Sequence, residues 1–319
     1  CLPAMYLLQK IYLGFVSAFW LAGILFIKDS FQWWWLFLLI QLVLLLLSVF
    51  VINKYKFKGN FIQFVILPIA FCLASFLFLV FIVNGYIYNL VTIFSAFVLY
   101  YLLRQYYTYS YFPQKYQPYS LESLSSYIVI ITSFFLFLSL FAFLALLNID
   151  LFLLLLFLII VLGLICYYYF WINKINLKKS AVFVFVIVLV ISELFVAVSY
   201  LPTGYFVNGF ILAVVFTLML QFSKAFLFTL ITKKFVISHL SVASIILLIV
   251  TLLFGVSKGN ASRWIMGFQP SDFAKLVLII YVSRMLTNKQ DEIKDFKKGL
   301  MPILWPVILL EIILALQQH

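Results

Sequence analysis

The chain has 319 residues, of which 67% are hydrophobic and only 9% charged, and its mean hydropathy is +1.23. A soluble domain carries roughly 25% charged residues, so the composition excludes a water-soluble enzyme and a disordered chain. The formal charge of +12 would point to nucleic acid in a soluble protein. In a membrane protein, cationic loops facing an anionic leaflet account for it, and no nucleic-acid partner is expected.

Apolar runs near 20 residues recur along the chain, each long enough to cross a hydrocarbon core about 30 Å thick. They predict an all-α, polytopic membrane protein of about 11 transmembrane helices, at 11–27, 33–53, 61–83, 86–103, 126–147, 151–172, 181–201, 205–230, 236–256, 270–287 and 300–316. Helices are favoured over barrel strands because the runs are continuous and do not alternate. Cys72 and Cys166 fall inside spans three and six and read as small buried hydrophobes. Cys1 stands where a Met is expected, which suggests a truncated start.

The basic residues sort by side. Lys54, Lys56 and Lys58 follow span two, Arg104 and Lys115 span four, and Lys174, Lys178 and Lys179 span six. Lys233 and Lys234 follow span eight, and Arg284, Lys289, Lys294, Lys297 and Lys298 follow span ten. About 17 of the 21 basic residues then lie on one side, which places the N-terminus in the cytoplasm. The longest polar interruption, 104–125, reads as an interfacial linker. It divides a four-span region, 1–103, from a two-span region, 126–179, and a last region, 180–319.

Soluble-enzyme motifs are absent: there is no Walker loop, HExxH, paired Cys ligands or GxSxG elbow. No metal or cofactor is therefore expected. His239 and His319 lie far apart, and His239 reads as an interfacial residue near a helix start. Ionisable groups inside spans cost a few kcal/mol or more in hydrocarbon and need a reason. Glu193, past the middle of span seven, is expected to face a neighbouring helix or a water cavity, as a structural or a functional acid. Lys224 lies toward the cytoplasmic end of span eight, where snorkelling accounts for it. Glu311, deep in span eleven, is a candidate for lining a polar cavity.

The densest cluster of chemistry is GNASRWIMGFQPSDFAKLVLIIYVSRML, residues 259–286. Trp264 suits an aromatic belt and Arg263 beside it can meet phosphate. Pro270 fits a first helical position, Asp272 complements the dipole of that turn, and Asp272 and Lys275 at i and i+3 can pair. These features alone describe an ordinary capped helix with an interfacial anchor.

Their wording resembles the signature of the SEDS family (shape, elongation, division and sporulation), the polytopic peptidoglycan glycosyltransferases of cell division and cell shape. The family pattern is close to G-A-x-R-W-I, a short gap, then F-Q-P-S-E-x-A-K-L. Gly259, Ala261, Arg263, Trp264 and Ile265 match the first part, and Phe268, Gln269, Pro270, Ser271, Ala274, Lys275 and Leu276 the second. Asp272 replaces the family's Glu and the gap is shorter. The match is strong over 259–318, and VAVSYLP (196–202) faintly echoes a V-Y-S-A-S-like end of the family's first helix. Spans one to six have no counterpart.

The resemblance implies polymerisation of a lipid-linked peptidoglycan precursor at the outer leaflet of a bacterial inner membrane, and a penicillin-binding transpeptidase as partner. It also implies that Arg263, Trp264, Gln269, Ser271, Asp272 and Lys275 shape the cavity, with Asp272 and Lys275 positioning a helix. The family's catalytic Asp lies in a large outer loop several helices later, beyond residue 319, so no residue here is assigned as the base and the region looks truncated. The competing reading is a non-catalytic transporter or envelope-assembly scaffold, in which Glu193 and Glu311 would be substrate or proton sites.

Overall fold

In a computed structural model the described residues are 2–56, 60–114, 116–200 and 204–228, with short pieces at 238–239, 241–242, 256–258 and 261–264. Eight long helices account for most of them. They are α1 (Leu2–Asp29), α2 (Trp34–Ile52, entered through a 3-10 turn at Phe31–Trp33), α3 (Phe61–Leu79) and α4 (Gly85–Tyr111). Then follow α5 (Ser120–Leu147), α6 (Leu151–Ile172), α7 (Leu177–Ser199) and α8 (Tyr205–Leu227). All eight are long and apolar enough to cross a membrane, and they coincide in order with the first eight predicted spans. The chain is a multi-pass membrane protein. Predicted span nine is described only at 238–239, 241–242 and 256, and spans ten and eleven lie outside the described residues, as does Glu311.

The helix ends follow local chemistry. Asn84 accepts hydrogen bonds from the amides of Tyr86 and Ile87 at 2.9 and 3.3 Å, capping α4. Asp150 and Asn176 do the same for Phe152 and Lys178, capping α6 and α7. Asn148 ends α5 in the left-handed region at φ 50°, a conformation Asn tolerates better than most residues. The predicted linker 104–125 is shorter than its polar composition suggested. α4 continues to Tyr111 and α5 begins at Ser120 because Tyr106, Tyr107 and Leu121 are buried against the bundle.

α5 is the central helix. It packs chiefly on α8 and α3, and also on α6 and α4, and about two-thirds of its span is covered. It approaches α8 closely at Gly209, where a Cβ would stand 2.7 Å from the Leu138 backbone. A residue without a side chain lets the two backbones meet there, the small-residue device of membrane helix pairs. α1 packs on α4 and α2, and α3 joins this N-terminal group to α5 and α6.

The core is aromatic and pairs several of its buried polar groups internally, though both amide atoms of Gln41 and Oε1 of Gln63 are buried without a hydrogen bond among the described residues. The Trp20 indole donates to Ser95 Oγ at 2.9 Å, and the Tyr106 and Tyr168 hydroxyls meet at 2.7 Å while Tyr168 donates to Ser125 at 3.0 Å. All of these side chains are fully buried. Cys72 and Cys166 are buried free thiols, as their apolar surroundings suggested. The departure from an all-helical chain among the described residues is a short antiparallel pair, β1 (Val256–Lys258) and β2 (Ala261–Trp264), shifted in register between Val256 and Lys258.

Candidate functional sites

The motif region and the bundle present two distinct sets of chemistry. Of the motif residues, Arg263 and Trp264 lie on β2, with Trp264 paired to Val256 across the ladder. The antiparallel ladder sets Ala261–Trp264 against Val256–Lys258, so this part of the motif is paired strand. Gln269, Ser271, Asp272 and Lys275 lie outside the described residues.

Glu193 lies on α7, on a face that no described residue covers. The face of α7 turned toward α6 and α8 carries buried Ile187, Ile191, Phe195 and Val198. The opposite face carries Val182, Phe185, Val186, Leu189 and Tyr200, and Glu193 falls in this stripe. Among the described residues, no other ionisable group is brought to Glu193.

A cluster that the sequence reading passed over stands at the basic end of the bundle, where α5 begins and α6 ends. Glu122, in the first turn of α5, is 6% exposed. Its carboxylate meets Lys174 Nζ at 2.8 Å and accepts a hydrogen bond from the Tyr116 hydroxyl at 2.6 Å. The Leu121 amide donates back to the Tyr116 oxygen at 3.2 Å. The hydrogen bond to Glu122 raises the pKa of Lys174 above its ordinary value. Burial raises that of Tyr116, reinforced by the carboxylate it serves. A cavity of about 450 Å³ lies beside the pair, lined by Asn60, Tyr109, Trp171, Lys174 and Asn176 among others.

Lys224, near the end of α8, donates from its ammonium to Oδ1 of Asn173, the residue that ends α6, at 2.5 Å. Asn173 in turn donates to the Tyr169 carbonyl at 2.8 Å. The signal available in sequence was modest. Glu122 is an acid on the side where most cations gather, and an acid in the first turn of a helix is favourable in any setting.

A family model described as cell cycle protein, for FtsW, RodA and SpoVE, matches residues 151–319, which is more than half of the chain. The chain belongs to this FtsW/RodA/SpoVE family. The matched stretch begins at the start of α6 and takes in α7, α8 and the hairpin. It is the family whose motif the 259–276 wording resembles.

Among individual relatives, a probable peptidoglycan glycosyltransferase FtsW of Geobacter sulfurreducens is 44% identical over 71 residues, 20% of this chain and 18% of that protein. Its counterpart in Geobacter metallireducens is 44% identical over 84 residues, covering 23% of this chain and 21% of the relative. The Escherichia coli O157:H7 protein of the same description is 35% identical over 78 residues, 23% of this chain and 19% of its own length. The chain thus matches about one fifth of the length of each of these relatives. No solved structure matches the chain significantly.

Proposed function

We propose that the chain forms part of a peptidoglycan glycosyltransferase of the FtsW type, acting on a lipid-linked disaccharide precursor at the outer leaflet of a bacterial inner membrane. The observation that carries this reading is the family match over 151–319, which contains the G-N-A-S-R-W and F-Q-P-S-D-x-A-K-L wording. The N-terminus is cytoplasmic in this reading, so the basic end holding Glu122 and Lys174 faces inward and the β1–β2 hairpin faces outward.

The chemistry required is attack of an acceptor sugar hydroxyl on the anomeric carbon of a donor, with a lipid pyrophosphate leaving. A carboxylate takes the hydroxyl proton, and cations neutralise the charge that develops on the pyrophosphate. In this chain Arg263 is the proposed pyrophosphate contact, since its planar guanidinium can bind phosphate oxygens through two hydrogen bonds. Asp272 and Lys275 are proposed as a pair that sets the angle of the helix following the hairpin, with Gln269 and Ser271 lining the cavity. The general base is expected in the family's later outer loop. A penicillin-binding transpeptidase is the proposed partner that cross-links the product.

The test is polymerisation of the purified lipid-linked precursor by the protein expressed from its natural reading frame, read as glycan strands on a gel. The wild type is expected to polymerise, and Arg263→Ala to lose at least tenfold in rate, as for removal of a charged transition-state contact. A protein that folds and moves a substrate across vesicles without forming any glycosidic bond would overturn the reading in favour of a transporter.

A further inference from the structure

The face between α5 and α8, on the side of the bundle where most of the basic residues lie, carries a two-part groove that the glycosyl-transfer reading does not use. Its inner part, about 510 Å³, is apolar: Ile130, Ile131 and Phe134 of α5 face Phe210, Val214 and Leu218 of α8. Its outer part, about 320 Å³, is more polar than the inner one, with Ser123 and Ser126 of α5 opposite Gln221 and Lys224 of α8. Ile130, Thr217, Gln221 and His239 line both parts, so the two are continuous.

We infer that this groove holds one anionic glycerophospholipid of the leaflet on the basic side, its phosphate at Lys224 and one acyl chain in the apolar part. Charge and length select this occupant. Lys224 is the only lining residue that carries a full charge among those described, and its described hydrogen-bond partner is the neutral Asn173. The carboxylate nearby, Glu122, is already matched by Lys174. An ammonium with neutral neighbours in a partly apolar setting attracts a phosphate more strongly than it would in water.

From Lys224 to Phe210 the groove follows 14 residues of α8, about 21 Å at 1.5 Å per residue. A half-bilayer of hydrocarbon is about 15 Å. The groove therefore accommodates a headgroup phosphate and one ordinary acyl chain reaching the midplane, and it ends against Phe134 and Phe210, which stand 5.8 Å apart edge to face. A long polyprenyl chain would overrun it. A zwitterionic headgroup would set a second ammonium beside Lys224.

The experiment compares binding of phosphatidylglycerol and phosphatidylethanolamine to the purified full chain, by native mass spectrometry with undecaprenyl phosphate as competitor. The wild type is expected to prefer phosphatidylglycerol by about fivefold, the effect of one basic contact near the membrane surface. Lys224→Gln is expected to abolish that preference, and Lys178→Gln, on the exposed start of α7 and outside the groove, to keep it. Leu218→Trp, which fills the apolar part, is expected to weaken both phospholipids. Because the preference is a ratio measured on one preparation, partial unfolding of a variant does not imitate the result. Equal binding of the two phospholipids to the wild type, an unchanged preference in Lys224→Gln, or displacement of phosphatidylglycerol by stoichiometric undecaprenyl phosphate would each overturn the inference.

Discussion

Gly209 offers a direct test of the α5–α8 contact, because two opposing effects can be weighed at one atom. Replacing Gly by Ala inside a helix ordinarily stabilises it by about 0.8–1 kcal/mol through backbone entropy. At Gly209 the added Cβ would lie 2.7 Å from Leu138 Cα and 2.8 Å from Leu138 N. Relief to an ordinary contact near 3.5 Å requires the helices to part by roughly 0.7 Å, and an overpacked interior site costs about 1–3 kcal/mol. The obstacle is backbone, which cannot rotate away as a side chain can. Gly209→Ala is therefore expected to run from neutral to destabilising by about 2 kcal/mol net, and Gly209→Leu to cost more.

Gly163, in the middle of α6, has nothing within 4 Å of its would-be Cβ. Gly163→Ala is expected to leave stability unchanged or raise it by up to about 1 kcal/mol. Both variants would be compared with the wild type in the same detergent by thermal unfolding. A Gly209→Ala protein as stable as Gly163→Ala would refute the close approach of α5 and α8.

The two partners of the Glu122–Lys174 pair are unequally buried, at 8% and 67% side-chain exposure, so their removal is expected to be unequal. Lys174→Met leaves a buried carboxylate with only Tyr116 and is expected to cost about 1–3 kcal/mol. Glu122→Gln frees a lysine that water can solvate, and is expected to cost less; chemical denaturation of both variants checks the order, and a larger loss for Glu122→Gln would contradict the geometry. The pKa values of Lys174 and Tyr116 are both raised in the folded protein, so the native state binds the more protons. Their contribution is fully present below the unfolded values, about 10.4 and 10, and is lost as pH rises through the folded ones. The midpoint temperature should stay flat from pH 7 to about 9.5 and fall above about pH 10, less steeply in Lys174→Met. An unchanged alkaline slope in that variant would show that the lysine is not the group responsible.

The sequence by itself determined the solvent, the helices and the family. Hydrocarbon offers no hydrogen bonds, so each long apolar run has to be a helix, and the run lengths of α1 to α8 were legible for that reason. The family was legible because the G-N-A-S-R-W and F-Q-P-S-D-x-A-K-L residues are contiguous, and contiguity survives without a fold. What only the tertiary structure decided were relations between residues far apart in the chain. Glu122 and Lys174 lie 52 positions apart, and Lys224 and Asn173 lie 51, so no periodicity joins them; packing of α5, α6 and α8 does. The same limit applied to Glu193. Its place in a span was plain from sequence, but which side of α7 it occupies depended on where α6 and α8 pack. Lys224 shows the difference most clearly, since the same residue near a helix end could turn to water or to Asn173. A free end of about 6 Å of flexible side chain has no preference of its own, and the neighbouring helix supplied it.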